Sequence, residues 1–190
     1  MIVSEIPTRN EHYMTYTTLY RNIANQATPA QIEQATQWYA DAELLAHDLI
    51  RIYQSRGINL TIENTASIIS SFSPRQRWNR NVVQALEFAN GGLPKGLKNN
   101  LRMAQQSQEV GFNALNGQKT NAFARAIAGD DNAVTIDVWM CYAGGLDTNA
   151  PNKKQYRELS EAVRIIASEM KMTPRVMQAL IWIIFRGSAE

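Results

Sequence analysis

The chain has 190 residues, of which 45% are hydrophobic and 19% charged, with a formal net charge of +2. This is the composition of a globular protein, long enough for one domain of ordinary size or two small lobes sharing a core, and it excludes a disordered chain. No apolar run approaches the ~18–20 residues of a membrane span, the stretch from Ala179 to Phe185 being too short, and the opening MIVSEIPTRNEHY lacks the basic start and apolar stretch of a secretory signal.

Helix signals then dominate in chain order. Thr28-Pro29-Ala30-Gln31 reads as a capping box with proline at the first helical position. It opens a long helix ending near Gly57, with Ile32, Ala35, Tyr39, Ala42 and Ala46 forming a buried stripe at three- and four-residue spacing. Thr61 caps a short apolar helix through Ile68 and Ile69. Ser73-Pro74-Arg75-Gln76 reads as a second capping box and predicts a helix stopping at Gly91-Gly92, with Arg77 and Arg80 on its basic face. A helix over about Leu97–Gln106, a further turn at Phe112–Leu115 and a tight Asn116-Gly117 turn lead to a helix from about Gln118 to Gly129.

Val134-Thr135-Ile136 is short and extended, and Asp137 can cap a helix from Val138 to Ala143. Two more helices follow, at about Lys153–Met170 and from Thr173-Pro174 to Phe185, closed by Gly187. No strand, repeat or low-complexity tract is expected, so the fold class is all-α with roughly eight to ten helices. Trp38, Trp139, Trp182 and Phe185 are expected in the core, Trp78 less clearly so because it lies on the basic helix.

Charge is uneven along this order. Between Pro74 and Ile127 eight basic residues (Arg75, Arg77, Arg80, Lys95, Lys98, Arg102, Lys119 and Arg125) face two acids, a net +6 against −4 for the rest. Two readings fit a basic middle with acidic flanks: a lobe facing a polyanion, or a solvated surface. The one cysteine, Cys141, excludes an internal disulfide and an all-cysteine iron–sulfur or zinc site, and His12 and His47 lack partners at metal-ligand spacing. The expectation is a soluble, cytoplasmic protein with no metal or cofactor.

The chemistry concentrates in Leu115-Asn116-Gly117-Gln118-Lys119-Thr120 and Ile136-Asp137-Val138. The backbone N–H groups that open the helix at Gln118 carry the positive end of its dipole and suit a phosphate oxygen. Lys119 lies in that first turn, where the dipole and partial burial both disfavour an ammonium and favour a nucleophilic amine. Asp137 follows 18 residues later. One helix and a short return segment can bring it back beside Lys119, as a carboxylate able to take the lysine's proton or to stabilise positive charge at a sugar C1′. Asp137 also has an ordinary reading as a helix cap, and the two roles are compatible.

Gly117-x-Lys119-Thr120 followed by Ile136-Asp137-Val138 resembles the hairpin lysine and aspartate of the helix-hairpin-helix DNA glycosylases, the superfamily of endonuclease III and 8-oxoguanine glycosylase. Ser70-Ser71-Phe72-Ser73-Pro74-Arg75-Gln76 is similar to the junction holding that family's wedge residue, and Met172 to Trp182 to its closing helix, so the likeness covers about residues 60–186. The chain departs from the pattern in its hairpin, which offers Leu115, Asn116 and Gly117 where the family has two glycines and a proline, and in lacking a four-cysteine cluster.

The resemblance implies a two-lobed fold, with lobe A at about 74–136 carrying the hairpin and lobe B at about 28–73 plus 137–187. It implies excision of a damaged, modified or mismatched base flipped from double-stranded DNA. Lys119 would form a Schiff base at C1′ and Asp137 would deprotonate it. Arg75 or Gln76 would fill the gap left by the base, and Arg77, Arg80, Asn116, Gly117, Gln118 and Thr120 would contact DNA. A non-catalytic DNA-binding module and an interaction protein on the same fold are the alternatives.

Overall fold

The computed structural model describes residues 9–187, and side chains from Thr15 to Gly187. The opening segment read for a signal and the side chain of His12 lie outside the described residues. Among the described residues the chain is all-helical and holds no strand. The helices are α1 (Arg9–Ala24), α2 (Pro29–Ser55), α3 (Ile62–Ser71), α4 (Trp78–Ala89), α5 (Lys98–Val110), a 3-10 turn (Gly111–Ala114), α6 (Gln118–Ile127), α7 (Val138–Ala143), α8 (Lys153–Glu169) and α9 (Pro174–Arg186). None of them is long and apolar enough to cross a membrane.

Local chemistry sets most of the ends. Thr28 and Gln31 cap each other's backbone, with Thr28 N–H donating to Gln31 Oε1 (2.9 Å) and Gln31 N–H to Thr28 Oγ1 (3.3 Å). Thr61 and Asn64 form the same box at α3, and Asn152 and Gln155 at α8. Thr173 and Asp137 cap α9 and α7 through their side chains, and Gly187 ends α9 in the left-handed region at φ 85°.

The residues group into two compact units. The first takes the described residues up to Thr36 and those from Ile136 onward; the second is Gln37–Thr135, so α2 runs through the division. In the first unit α1 packs on α7, α8 and α9, and α9 packs on α7 and α8. Tyr16, Tyr20 and Ala24, four residues apart on α1, are buried with Leu159, Val163 and Ile166 of α8 and Leu180 and Ile181 of α9. Each large apolar side chain so buried stabilises the unit by about 1.5–3 kcal/mol. Tyr20 Oη donates to the carbonyl of Met140 (2.8 Å), satisfying the phenol inside that core. Helix α1 has no counterpart in the sequence expectation; its four-residue spacing of Tyr16, Tyr20 and Ala24 is the signal for it.

In the second unit α3 is the central element and packs on α4, α5, α6 and the 3-10 turn. Every residue of α3 from Thr65 to Ser71 is buried. Four of them are hydroxyl residues, and three of these donate locally or to neighbours: Thr65 Oγ1 to the Ile62 carbonyl at 3.3 Å, Ser71 Oγ to the Ser67 carbonyl at 2.8 Å and Ser70 Oγ to the Thr120 carbonyl at 2.7 Å. The division differs from the lobes expected from sequence over residues 37–73, which group with 74–135. The reason is that α3 packs on α5 and α6.

Ser73–Gln76 is not a capping box. Gln76 N–H donates to the Ser73 carbonyl (3.2 Å), closing a β-turn with Pro74 second and Arg75 third, at φ 61°. The third position of such a turn ordinarily takes glycine or asparagine, so the arginine carries about 1–2 kcal/mol of backbone strain. Helix α4 begins only at Trp78, behind Arg77 with no side-chain cap. Helix α5 runs to Val110, past the expected end, and continues into the 3-10 turn at Gly111, φ 54°. A Cβ at Gly111 would lie 2.7 Å from Glu63 Cγ and Oε1, and Glu63 Oε1 accepts the Phe112 N–H (3.1 Å). The glycine lets α3 and the turn after α5 close on each other.

Candidate nucleic-acid interface

The reactive lysine proposed from sequence sits where expected, in the first turn of α6. Gly117 precedes the helix at φ −87°, ψ 133°, and no side chain caps it or adds an acid to its first turn. Neither Asn116 nor Gly117 has a positive φ, so the turn needs none of the left-handed geometry that the family hairpin gets from glycine. Asn116, Gly117 and Gln118 are exposed, while Lys119 and Thr120 are half-buried. Thr120 Oγ1 turns back to donate to the Gly117 carbonyl (3.0 Å), and Ser70 Oγ holds the Thr120 carbonyl from α3. No hydrogen bond or ion pair engages the Lys119 ammonium among the described residues.

One turn further along α6, Phe123 packs with two half-buried indoles. Its ring centroid lies 6.3 Å from Trp78 and 5.9 Å from Trp38, which are 5.1 Å from each other. Trp78 is the first residue of α4, so this contact sets the Ser73–Gln76 turn and its arginine beside the start of α6. Asn100 Nδ2 in the first turn of α5 reaches the Pro74 carbonyl (3.4 Å), and Arg80 Nη2 and Gln84 Nε2 both donate to the Lys95 carbonyl (3.4 and 2.8 Å).

These bonds place the first turns of both α5 and α6 at the C-terminal end of α3. At the other end, Asn64 Nδ2 donates to the Ser107 carbonyl (2.9 Å), and Asn121 Nδ2 and Glu63 hold Phe112. The connection from Gly111 to Gly117 therefore returns along α3 instead of folding as a tight hairpin.

The result is one end of the second unit that collects Arg75, Arg77, Arg80, Lys95, Lys98 and Lys119 with two helix N-termini, neither of which has an acid in its first turn. None of the eight basic residues between Pro74 and Ile127 takes part in an ion pair among the described residues. Arg102 and Arg125 bond to Asn99 and Asn121, and Arg125 also lies 4.6 Å from the Phe112 ring centroid. Cationic charge without acid partners, together with helix dipoles of the same sign, suits an anion with several charges.

Asp137 belongs to the first unit. It caps α7, with Oδ1 accepting the Met140 N–H (2.9 Å) and Oδ2 accepting Trp182 Nε1–H (2.9 Å). Both oxygens are therefore engaged within its own unit. Around it, Tyr156 Oη accepts the Ile136 N–H (3.2 Å). Burial pushes the Tyr156 phenol up to about 12 and the Cys141 thiol up to about 11, the latter with a further push from the Asp137 charge. Cys141 is thus a protonated, buried thiol at neutral pH and no nucleophile.

Of the residues singled out by sequence, Arg75, Gln76, Arg77, Arg80, Asn116, Gly117, Gln118, Lys119 and Thr120 fall in the second unit and Asp137 in the first. Lys95, Lys98 and the Trp38–Trp78–Phe123 cluster join the former group, which sequence spacing alone does not reveal. Trp139 and Phe185 are corrected from core to surface: they are 39% and 41% exposed, because the inner faces of α7 and α9 are taken by Met140, Cys141, Leu180, Ile181 and Ile183. Among the described residues no three His, Cys, Asp or Glu side chains are grouped to hold a metal ion.

Residues 5–189 match the family described as "Family of unknown function (DUF7178)", and the chain belongs to it. No curated protein and no solved structure matches the chain.

Proposed function

We propose that the basic end of the second unit binds the phosphate backbone of double-stranded DNA and presents Lys119 for base excision, as a glycosylase with abasic-site lyase activity. The observation that carries this reading is the set of six cations without ion pairs (Arg75, Arg77, Arg80, Lys95, Lys98 and Lys119) gathered with the two helix N-termini. Phosphates placed there displace condensed counterions, which gives affinity that falls steeply with salt. The strained Arg75 is exposed at the tip of its turn; in this reading it serves as the wedge or as a phosphate contact, with Gln76 beside it.

In the chemical step the neutral amine of Lys119 attacks C1′ of the target nucleotide. The C1′–N bond to the base breaks, and its electron pair leaves with the base. The C1′–O4′ bond then opens, with O4′ taking up a proton as its leaving hydroxyl, and the lone pair of the lysine nitrogen forms the C1′=N bond of the Schiff base; loss of a C2′ proton expels the 3′ phosphate, and water then releases the lysine. A base must take the lysine's proton, the part that the family resemblance gives to Asp137.

Borohydride trapping on abasic duplex DNA tests the chemistry. Wild type is expected to give a covalent adduct and Lys119→Gln none. No adduct from wild type, under conditions that trap a control lyase, overturns the lyase assignment. A second reading, a DNA-binding module without chemistry, is favoured by Asp137, whose two oxygens are already engaged by Met140 and Trp182. That reading predicts salt-dependent duplex binding, unchanged in Asp137→Asn, with no adduct from either protein.

A further inference from the structure

The first unit carries an aromatic surface that neither its core nor the base-excision reading uses. Trp139 and Tyr142 of α7 and Phe185 of α9 are each about two-fifths exposed, at 39%, 40% and 41%. The rings of Trp139 and Tyr142 meet edge to face, with centroids 6.2 Å apart. Arg186 lies over Trp182, 4.6 Å from its centroid, and 5.9 Å from that of Trp139, so one guanidinium serves two indoles. Trp182 is itself fixed by its hydrogen bond to Asp137. Neither α7 nor α9 contains an acidic residue. Exposed aromatic groupings of this kind mark a binding surface, and their chemistry defines the occupant. Flat rings offer stacking faces, and the Arg186 guanidinium, which takes part in no ion pair among the described residues, attracts a negative group alongside them.

We infer that this surface stacks the bases of single-stranded DNA, with Trp139 and Tyr142 as the platform and Arg186 on the adjoining phosphate. A base brings a π-face, and the phosphate beside it brings the charge that Arg186 lacks as a partner on its helix. Duplex DNA does not fit the same chemistry, because its bases are already stacked on one another. The choice of DNA over RNA rests on the base-excision reading; the stacking platform itself does not.

The test is fluorescence anisotropy of the full chain with labelled oligothymidylate of about a dozen nucleotides, oligouridylate of equal length, and an intact duplex. Wild type is expected to bind oligothymidylate at least as well as oligouridylate. Trp139→Ala is expected to weaken that binding about tenfold or more, and Trp139→Phe to retain most of it. Arg186→Gln is expected to lower the log–log salt slope by about 0.7. Duplex affinity is expected to be unchanged by all three substitutions.

Equal oligothymidylate affinity for wild type and Trp139→Ala overturns the inference, as does preference for oligouridylate. So does a self-association that Trp139→Ala abolishes without any change in DNA affinity. Duplex binding without oligothymidylate binding sinks this inference alone. Oligothymidylate binding that depends on Trp139, without duplex binding, sinks the base-excision reading and leaves the platform.

Discussion

The two units solve their electrostatics in opposite ways. In the first, Arg21 pairs bidentately with Glu169, Lys154 lies 3.9 Å from Glu158, and Arg164 3.6 Å from Glu161. In the second, Arg51 pairs with Asp48, but the whole basic stretch from Arg75 to Arg125 has no acid partner. Surface ion pairs contribute little to stability, so the difference says little about folding. It says where the molecule has left charge available. The first unit instead leaves aromatic surface available, at Trp139, Tyr142 and Phe185.

The largest way to separate the units is alkaline pH. Burial raises the Tyr20 phenol well above its ordinary value, Tyr156 to about 12 and Cys141 to about 11, all in the first unit; Tyr53, at about 12, is the counterpart in the second. Each group is bound to its proton more tightly when folded. Its contribution is therefore complete below its unfolded pKa, near 9 for the thiol and 10 for the phenols, and is lost as pH rises through the folded value. Amide exchange followed over this range should show α7 and α8 opening before α3; the reverse order contradicts the assignment.

Asp137→Ala removes the α7 cap and leaves Trp182 Nε1–H without its acceptor. Losing a cap costs about 0.5–2 kcal/mol, and an unsatisfied donor that is only partly buried adds at most about 1 kcal/mol. A fall in Tm of several degrees is expected, with duplex affinity unchanged because the second unit is untouched. Asp137→Asn, which keeps an acceptor for the cap, is expected to recover part of the loss.

In the second unit, replacing Arg75, Arg77 and Arg80 together by Gln is expected to leave Tm within about a degree, since exposed changes of this kind are near neutral. Duplex affinity should fall by on the order of a hundredfold at moderate salt, with the log–log salt slope reduced by nearly three. Affinity within twofold of wild type contradicts the placement of the interface.

Arg75→Gly is the sharper version of the same test. Glycine relieves the strain at φ 61° but adds entropy to the unfolded chain, so the net gain in stability is at most about 1 kcal/mol. Affinity for duplex should fall at the same time, as expected where strain is kept for function. The smallest effect belongs to Glu169→Gln. The Arg21 guanidinium holds the Glu169 carboxyl below its usual range, so the pair's contribution is present at neutral pH and lost only as pH falls below that range. Both side chains are well exposed, and no resolvable change in Tm at neutral pH is expected.

What the sequence reveals follows how local each cause is. Thr28, Thr61, Asp137 and Thr173 cap helices through side chains within three residues, and their roles are legible from spacing alone. Helix α1 is polar through much of its length; what fixes it is packing of Tyr16 and Tyr20 on distant helices. At Ser73–Gln76 two local motifs compete for the same residues. The turn prevails over the capping box, and α4 starts where Trp78 meets Trp38 and Phe123. The basic run was visible as composition, but its gathering at one end depends on the long-range bonds Ser70–Thr120 and Asn100–Pro74. The division at Thr36 and Ile136 depends on packing across the chain, which no short window contains.

The most direct measurement of the central claim is a backbone amide shift titration of the full chain with a short, intact DNA duplex. The account predicts perturbations concentrated at residues 74–80, 95–102 and 116–120, fading as salt is raised. Perturbations confined to α1 and α8, or none at saturating duplex, would contradict it.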